Sequence, residues 1–169
     1  MAGAIMVGMG EIKTASQPGE VLMALGLGSC IGVCVYDLAK RLYVMAHVVL
    51  PSSTGFSVDV PGKYGDTALP AILDTLQSRG SVGRGLKAFM VGGAQLFSFG
   101  AATPKLDIGE RNASVIESEL RSRNIPIVAK DVGGNSGRTV NLNVETGRVM
   151  VKTIGRGEAL LAELHRAAA

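Results

Sequence analysis

Cys30, in "GLGSCIGVCVYD", and His47, in "YVMAHVVLP", stand seventeen positions apart (47 − 30 = 17). A thiol beside an imidazole is a nucleophile with its base. Thiolate is the reactive form, a free thiol has a pKa of about 8.5, and a protonated imidazole alongside favours the thiolate. Cys30 directly follows a glycine-rich turn. Gly26, Gly28 and Ser29 permit a tight turn whose backbone N–H groups can point at one spot. Such donors stabilise an oxyanion, typically by about 2.7–4 kcal/mol each. Thiol, base and donors together are the parts of an acyl-transfer site. Cys30 also has blander readings: a buried filler, or one half of a redox pair.

The redox reading fails on distance. Cys30 and Cys34 are four apart in a β-branched run, and on a strand that separates them by roughly 13 Å, beyond disulfide reach. Cys34 then reads as a small buried apolar residue. Two cysteines and one strand histidine lack the usual ligand spacing of a metal site, so neither metal nor cofactor is expected. "GLGSC" is not a full GxGxxG and a strand follows it, which argues against a nucleotide loop. Of the two histidines, His165 beside Arg166 reads as a solvated helix residue. His47 interrupts a strand, where by itself it reads as a half-buried side chain satisfied by one hydrogen bond.

The elements decide whether the pair meets. Strands are expected at 4–9, 20–27, 31–36 and 41–50, the last two joined by the hairpin loop "DLAK". If Tyr36 lies opposite Arg41, Cys30 falls opposite His47 and both share a face. If Tyr36 faces Leu42, the two point to opposite faces, because a one-residue slip flips every side chain. A long Ser-, Gly- and Pro-rich loop spans 52–66, a length typical of binding loops. A helix follows at 67–78, capped by Asp66 or Thr67, with Pro70 in its first turn. Then come a strand at 86–94, a helix at 110–123 and a strand at 125–131. A hairpin over 138–154 turns at 145–148, and a short helix closes the chain at 158–165. Strands outnumber helices too heavily for an alternating doubly wound fold. The expected class is α/β of the α+β kind: one domain, a layered sandwich of mostly antiparallel or mixed β-sheet with two main helices.

At 169 residues the chain can bury its own core, and 47% of it is apolar, with 23 Gly and only seven Phe and Tyr. No apolar run reaches the roughly 18 residues of a membrane span, and the N-terminus lacks the basic region of a signal peptide. Two cysteines without an export signal fit a reducing, cytoplasmic setting. The net charge of +3 is scattered, with no dense basic run or aromatic motif for nucleic acid.

Several blocks, in order, resemble the chemoreceptor glutamine deamidases called CheD: "LGLGSCIGVCVYD", "MAHVVLP", "PGKYGDTA", "VGGAQLF", "IGERNA" and "DVGGNSGRTVNLNVETGRVMV". The resemblance covers about residues 8–157. It implies a protein-glutamine glutaminase that converts selected glutamines of methyl-accepting chemotaxis receptors to glutamate and releases ammonia. It implies Cys30 as nucleophile and His47 as base; in the mechanism the turn suggests, a thioester forms and backbone N–H groups around Gly28, Ser29 and Ile31 hold the oxyanion. It also implies the chemotaxis phosphatase CheC as a partner, contact with membranes only through receptors, and a sandwich similar to the catalytic domains of deamidating toxins. One position departs. The family's third catalytic residue is a threonine six before the cysteine, and here it is Ala24. Either a backbone carbonyl near Ala24 holds the His47 ring, or the chain is a weakened enzyme that serves as a binding regulator of CheC or receptors. A coiled-coil substrate calls for an open groove. Its candidate rim is Phe56 and Tyr64 on the long loop, with the glycine turns at Gly93 and Gly134. A peptidase, or a deamidase of small amides, is the rival enzyme class.

Overall fold

The computed structural model describes residues 3–96 and 107–165. Ten strands form two five-stranded sheets. The first sheet has the order β1-β3-β8-β9-β10, from β1 (Ala4–Met6), β3 (Val21–Leu27), β8 (Arg138–Asn143), β9 (Arg148–Thr153) and β10 (Gly157–Glu163). The second has the order β2-β5-β4-β6-β7, from β2 (Ile12–Ala15), β5 (Leu42–Val48), β4 (Ile31–Asp37), β6 (Lys87–Gly92) and β7 (Ile127–Val132). Among the described strands, only β1–β3 and β6–β7 pair in parallel. Helices α1 (Gly65–Ser78) and α2 (Ile108–Ser122) cover the outer face of the second sheet. The expected layered sandwich is therefore the observed one, with two cores rather than one.

Those two cores explain why every residue of β4 and β5 is buried. Side chains alternate across a strand. Ile31, Val33 and Val35, with Leu42, Val44, Ala46 and Val48, pack under the helices. Cys30, Cys34 and Tyr36, with Tyr43 and Met45, pack between the sheets. Cys34 is fully buried, as a small apolar residue should be, and both cysteines are free thiols.

Four local expectations are corrected. β2 lies in a stretch that carried no strand signal. The residues expected to form a closing helix are β10, paired antiparallel with β9 around a bulge between Leu160 and Ala162. "EALLAEL" favours helix, but the open edge of the first sheet offers a ladder, and tertiary pairing overrides propensity. His165 consequently sits in a turn after a strand, where its Nε2 meets the Tyr43 hydroxyl at 2.6 Å. Partial burial, with the Arg41 charge, pushes the His165 pKa down. Finally, α1 starts two residues early. Neither Asp66 nor Thr67 caps it, and Pro70 lies inside the helix. The Asp66 carboxylate instead accepts from the Ser53 N–H at 2.9 Å, tying the long loop to the helix start.

Candidate functional site

The β4–β5 hairpin sets the geometry. Tyr36 pairs with Tyr43 and Gly32 with His47, so the register is displaced by two residues from the one that would place Cys30 opposite His47. The cause is the turn. Asp37 pairs with Leu42, and residues 38–41 all fall in the loop, with Arg41 in the left-handed region (φ 50°). A two-residue displacement preserves the face. Cys30 and His47 thus project between the sheets as diagonal neighbours across Gly32. Diagonal partners are about 7–8 Å apart at Cα, within reach of a ring.

Gly32 lets them share that space. A Cβ there would meet Leu27 Cδ1 and Val140 Cγ1 at 3.3 Å and the Ala24 methyl at 3.6 Å. The opposite sheet closes down on this spot, and Ala24 forms part of its wall.

His47 is 3% exposed. Its Nδ1 lies 3.0 Å from the Val7 carbonyl, while Nε2 is buried without a partner. A carbonyl only accepts, so Nδ1 carries the hydrogen that it meets, which leaves Nε2 as the nitrogen on the inter-sheet side. The orienting carbonyl belongs to Val7, just after β1, and the Val7 N–H in turn bonds the Met23 carbonyl at 2.8 Å. The ring is therefore held by backbone that is itself hydrogen-bonded to Ala24's neighbour Met23, and Ala24 makes no hydrogen bond to the ring. Restoring a threonine at this position is expected to bring no gain in rate. Ala24→Thr pushes two extra atoms into a fully buried wall, and overpacking of this kind costs about 1–3 kcal/mol. A thermal melt and a deamidation time course on the variant check this, and a clear rise in rate would contradict it.

Cys30 is 9% exposed. Burial pushes its thiol pKa up, and its own backbone N–H, which faces the sulfur, pulls it partly back. Cys30 and His47 share the inter-sheet face, and the thiol makes no hydrogen bond to Nε2. The turn before Cys30 is held from two sides. Gly28 donates to the Gly26 carbonyl at 3.1 Å, and its carbonyl accepts from the Ala94 N–H at 2.8 Å. The Cys30 carbonyl accepts from Gly93 at 2.9 Å. Ser29 and Ile31 flank the cysteine, and the Cys30 amide is the N–H that faces the sulfur.

The end of β6 must be glycine. Gly92 has φ +124°, and a Cβ on it would fall 2.1 Å from the Cys30 carbonyl oxygen. Arg138, buried, donates to the Gly92 carbonyl at 3.2 Å and pairs with Asp131 at 3.1 Å. Gly93 and Gly134 line one groove of about 410 Å³ with Gln95, Asp107 and Glu110. A cavity of about 570 Å³ between the C-terminal ends of the helices lies away from the pair and holds none of the candidate residues. On the long loop, Phe56 is 57% exposed and stacks on Tyr64 at 5.7 Å, whereas Tyr64 is only 4% exposed. Phe56 is therefore the ring a partner can reach; Tyr64 supports it from below.

Two participants escaped the sequence reading. The Val7 carbonyl carries no side-chain signal at all. Asn112 does carry one: it shares the buried stripe of α2 with Gly109, Ile116 and Leu120, where a polar residue is out of place. It is fully buried, and its amide donates to the Ser29 carbonyl at 2.9 Å and the Val49 carbonyl at 3.0 Å.

Comparison with known proteins identifies the family. The family described as CheD chemotactic sensory transduction matches residues 49–153. A probable chemoreceptor glutamine deamidase CheD of Desulfitobacterium hafniense is 42% identical over 95% of this chain and 100% of its own length. One from Symbiobacterium thermophilum is 46% identical over 90% of this chain and 93% of its own. One from Clostridium novyi is 41% identical over 90% and 94%. With relatives this similar along nearly the whole of both chains, and a family match across most of the sequence, this chain belongs to the CheD family.

Proposed function

We propose that this protein deamidates glutamine side chains of methyl-accepting chemotaxis receptors through a thioester on Cys30. One observation carries the reading: a bare, buried Nε2 on His47 lies on the same inter-sheet face as the Cys30 thiol, with Nδ1 fixed by Val7. The thiol gives its proton to Nε2 as sulfur attacks the carboxamide carbon. The Cys30 N–H supports the oxyanion. The imidazolium returns the proton to the departing amine, and ammonia leaves. A water molecule then gives a proton to Nε2 and attacks the thioester, which releases glutamate and regenerates the thiol. General acid–base help of this kind is typically worth about 10²–10⁴-fold.

The reading also assigns the receptor, and through the same face the phosphatase CheC, to the rim around Cys30. No described helix is long and apolar enough to cross a membrane, so in this reading membrane contact comes through the receptor, in the cytoplasm. Leu96 packs over Gly28 and is half exposed. Phe56, Val58 and Val60 expose apolar side chains on the long loop. Such anchors suit the uncharged flanks of a helix better than a small polar amide. Phe56→Ala is expected to raise KM for a receptor fragment roughly five- to ten-fold, the effect of losing an aromatic anchor, with kcat and melting temperature unchanged. Steady-state kinetics on the fragment test this, and an unchanged KM removes Phe56 from the rim. Turnover of free glutamine at a rate matching the fragment would favour the small-amide class instead.

A further inference from the structure

The β4–β5 ladder stops one rung short of what its register allows. Ile31 pairs with Val48; two steps on, Ser29 would face Leu50. His47 sends its N–H and carbonyl to the β2 side, to Glu11 and Gly10. Hydrogen-bonded pairs alternate along an antiparallel ladder, so Ile31–Val48 is such a pair and Ser29–Leu50 would be the next. It does not form. Leu50 gives its N–H to the Lys63 carbonyl at 3.0 Å, as does Val49 at 2.8 Å. The strands part at the point where Cys30 leaves the glycine turn, and the Ser29 carbonyl loses its ladder donor.

Asn112 fills the gap. One amide group supplies donors to two carbonyls: that of the peptide linking Ser29 to Cys30, and that of Val49, two residues after His47. Facing two acceptors, the amide nitrogen must be the group at this end. The other end, Oδ1, is buried without a partner. An apolar residue of similar volume would avoid that orphaned acceptor, so packing alone does not account for an asparagine here. The first turn of α2 brings it in: Gly109 lies so close to the Gly93 and Ala94 carbonyls that a Cβ would approach within 2.5 and 2.6 Å.

We infer that Asn112 is a positioning residue for the Cys30–His47 pair, a side-chain rung that clamps the nucleophile's turn to the end of the base's strand. The inference rests on the deamidase reading of that pair. Asn112→Leu keeps the volume and removes both donors. It is expected to lower kcat on a receptor fragment roughly ten- to a hundred-fold, the scale of a misplacement near 1 Å, with KM unchanged. The pH profile of Cys30 alkylation by iodoacetamide should shift, because the sulfur moves relative to the imidazole. Asn112→Ser, smaller and with one donor, should fall between the two. If Asn112→Leu does not fold, the serine variant decides: a lowered kcat with a shifted alkylation profile supports the clamp. Native kcat, or a lowered kcat with an unshifted alkylation profile, overturns it. Cys30→Ala in the same assay separates the two ideas. Full activity there sinks the reading of the site, whereas a dead Cys30→Ala beside a native-like Asn112 variant sinks only the clamp.

Discussion

Replacing Cys30 by alanine is expected to reduce receptor deamidation to the uncatalysed background, a loss on the order of 10⁶-fold if sulfur is the nucleophile. A side-chain carboxamide resists water at neutral pH, and the other thiol on the inter-sheet face with His47 is Cys34. Cys34 is on the same face but fully buried, and its thiol pKa is pushed far above the ordinary range by burial. It cannot substitute. The variant should remain folded, because the change removes one sulfur atom at the margin of the core, a cost of about 1–2 kcal/mol. Intact-mass analysis of a receptor fragment, which reads each amide-to-acid conversion, is the check. Conversion at the native rate by a folded Cys30→Ala would refute the mechanism.

The second large effect is at the base. His47→Asn places an amide N–H where Nδ1 stood, so the bond to the Val7 carbonyl can survive while the lone pair at Nε2 is lost. The expected fall in kcat is about 10²–10⁴-fold, smaller than for Cys30 because hydroxide can still generate some thiolate. The pH dependence follows from the direction of the Cys30 shift. Burial raises the thiol pKa, so at neutral pH the sulfur is protonated and needs a base to react. The residual rate of His47→Asn should therefore climb steeply with pH into the alkaline range as thiolate forms. The unsubstituted enzyme, with its base in place, should show a weaker alkaline rise. Rate profiles of the two enzymes, from neutral pH upward, test this. Parallel profiles would mean that His47 is not the proton acceptor.

Much of the site was legible because it depends on alternation. Cys30 and His47 had to share a face or oppose it, and the observed register shifts by an even number, which leaves the faces intact. The turn at residues 38–41 was not legible to the residue, since a left-handed Arg41 has no sequence mark like that of glycine. β10 was misread for the opposite reason. Its residues carry a helical preference, and an available sheet edge outweighed it. The Val7 carbonyl was invisible in principle, because any residue type brings a carbonyl. It supplies at Nδ1 the acceptor that an Ala24 side chain does not. Asn112 was legible in part, as a polar residue on a buried stripe. What it touches depends on where two strands part company, which no local pattern encodes.

The most direct test of the central claim is to quench the enzyme with acid during turnover of a receptor fragment and map covalent adducts by peptide mass spectrometry. A thioester joining the fragment's glutamine carbonyl to Cys30 is the expected result, accumulating further in His47→Asn if water attack slows more than acylation. Continued deamidation with Cys30 carrying no adduct under any quench, and with alkylated Cys30 still supporting turnover, would contradict it.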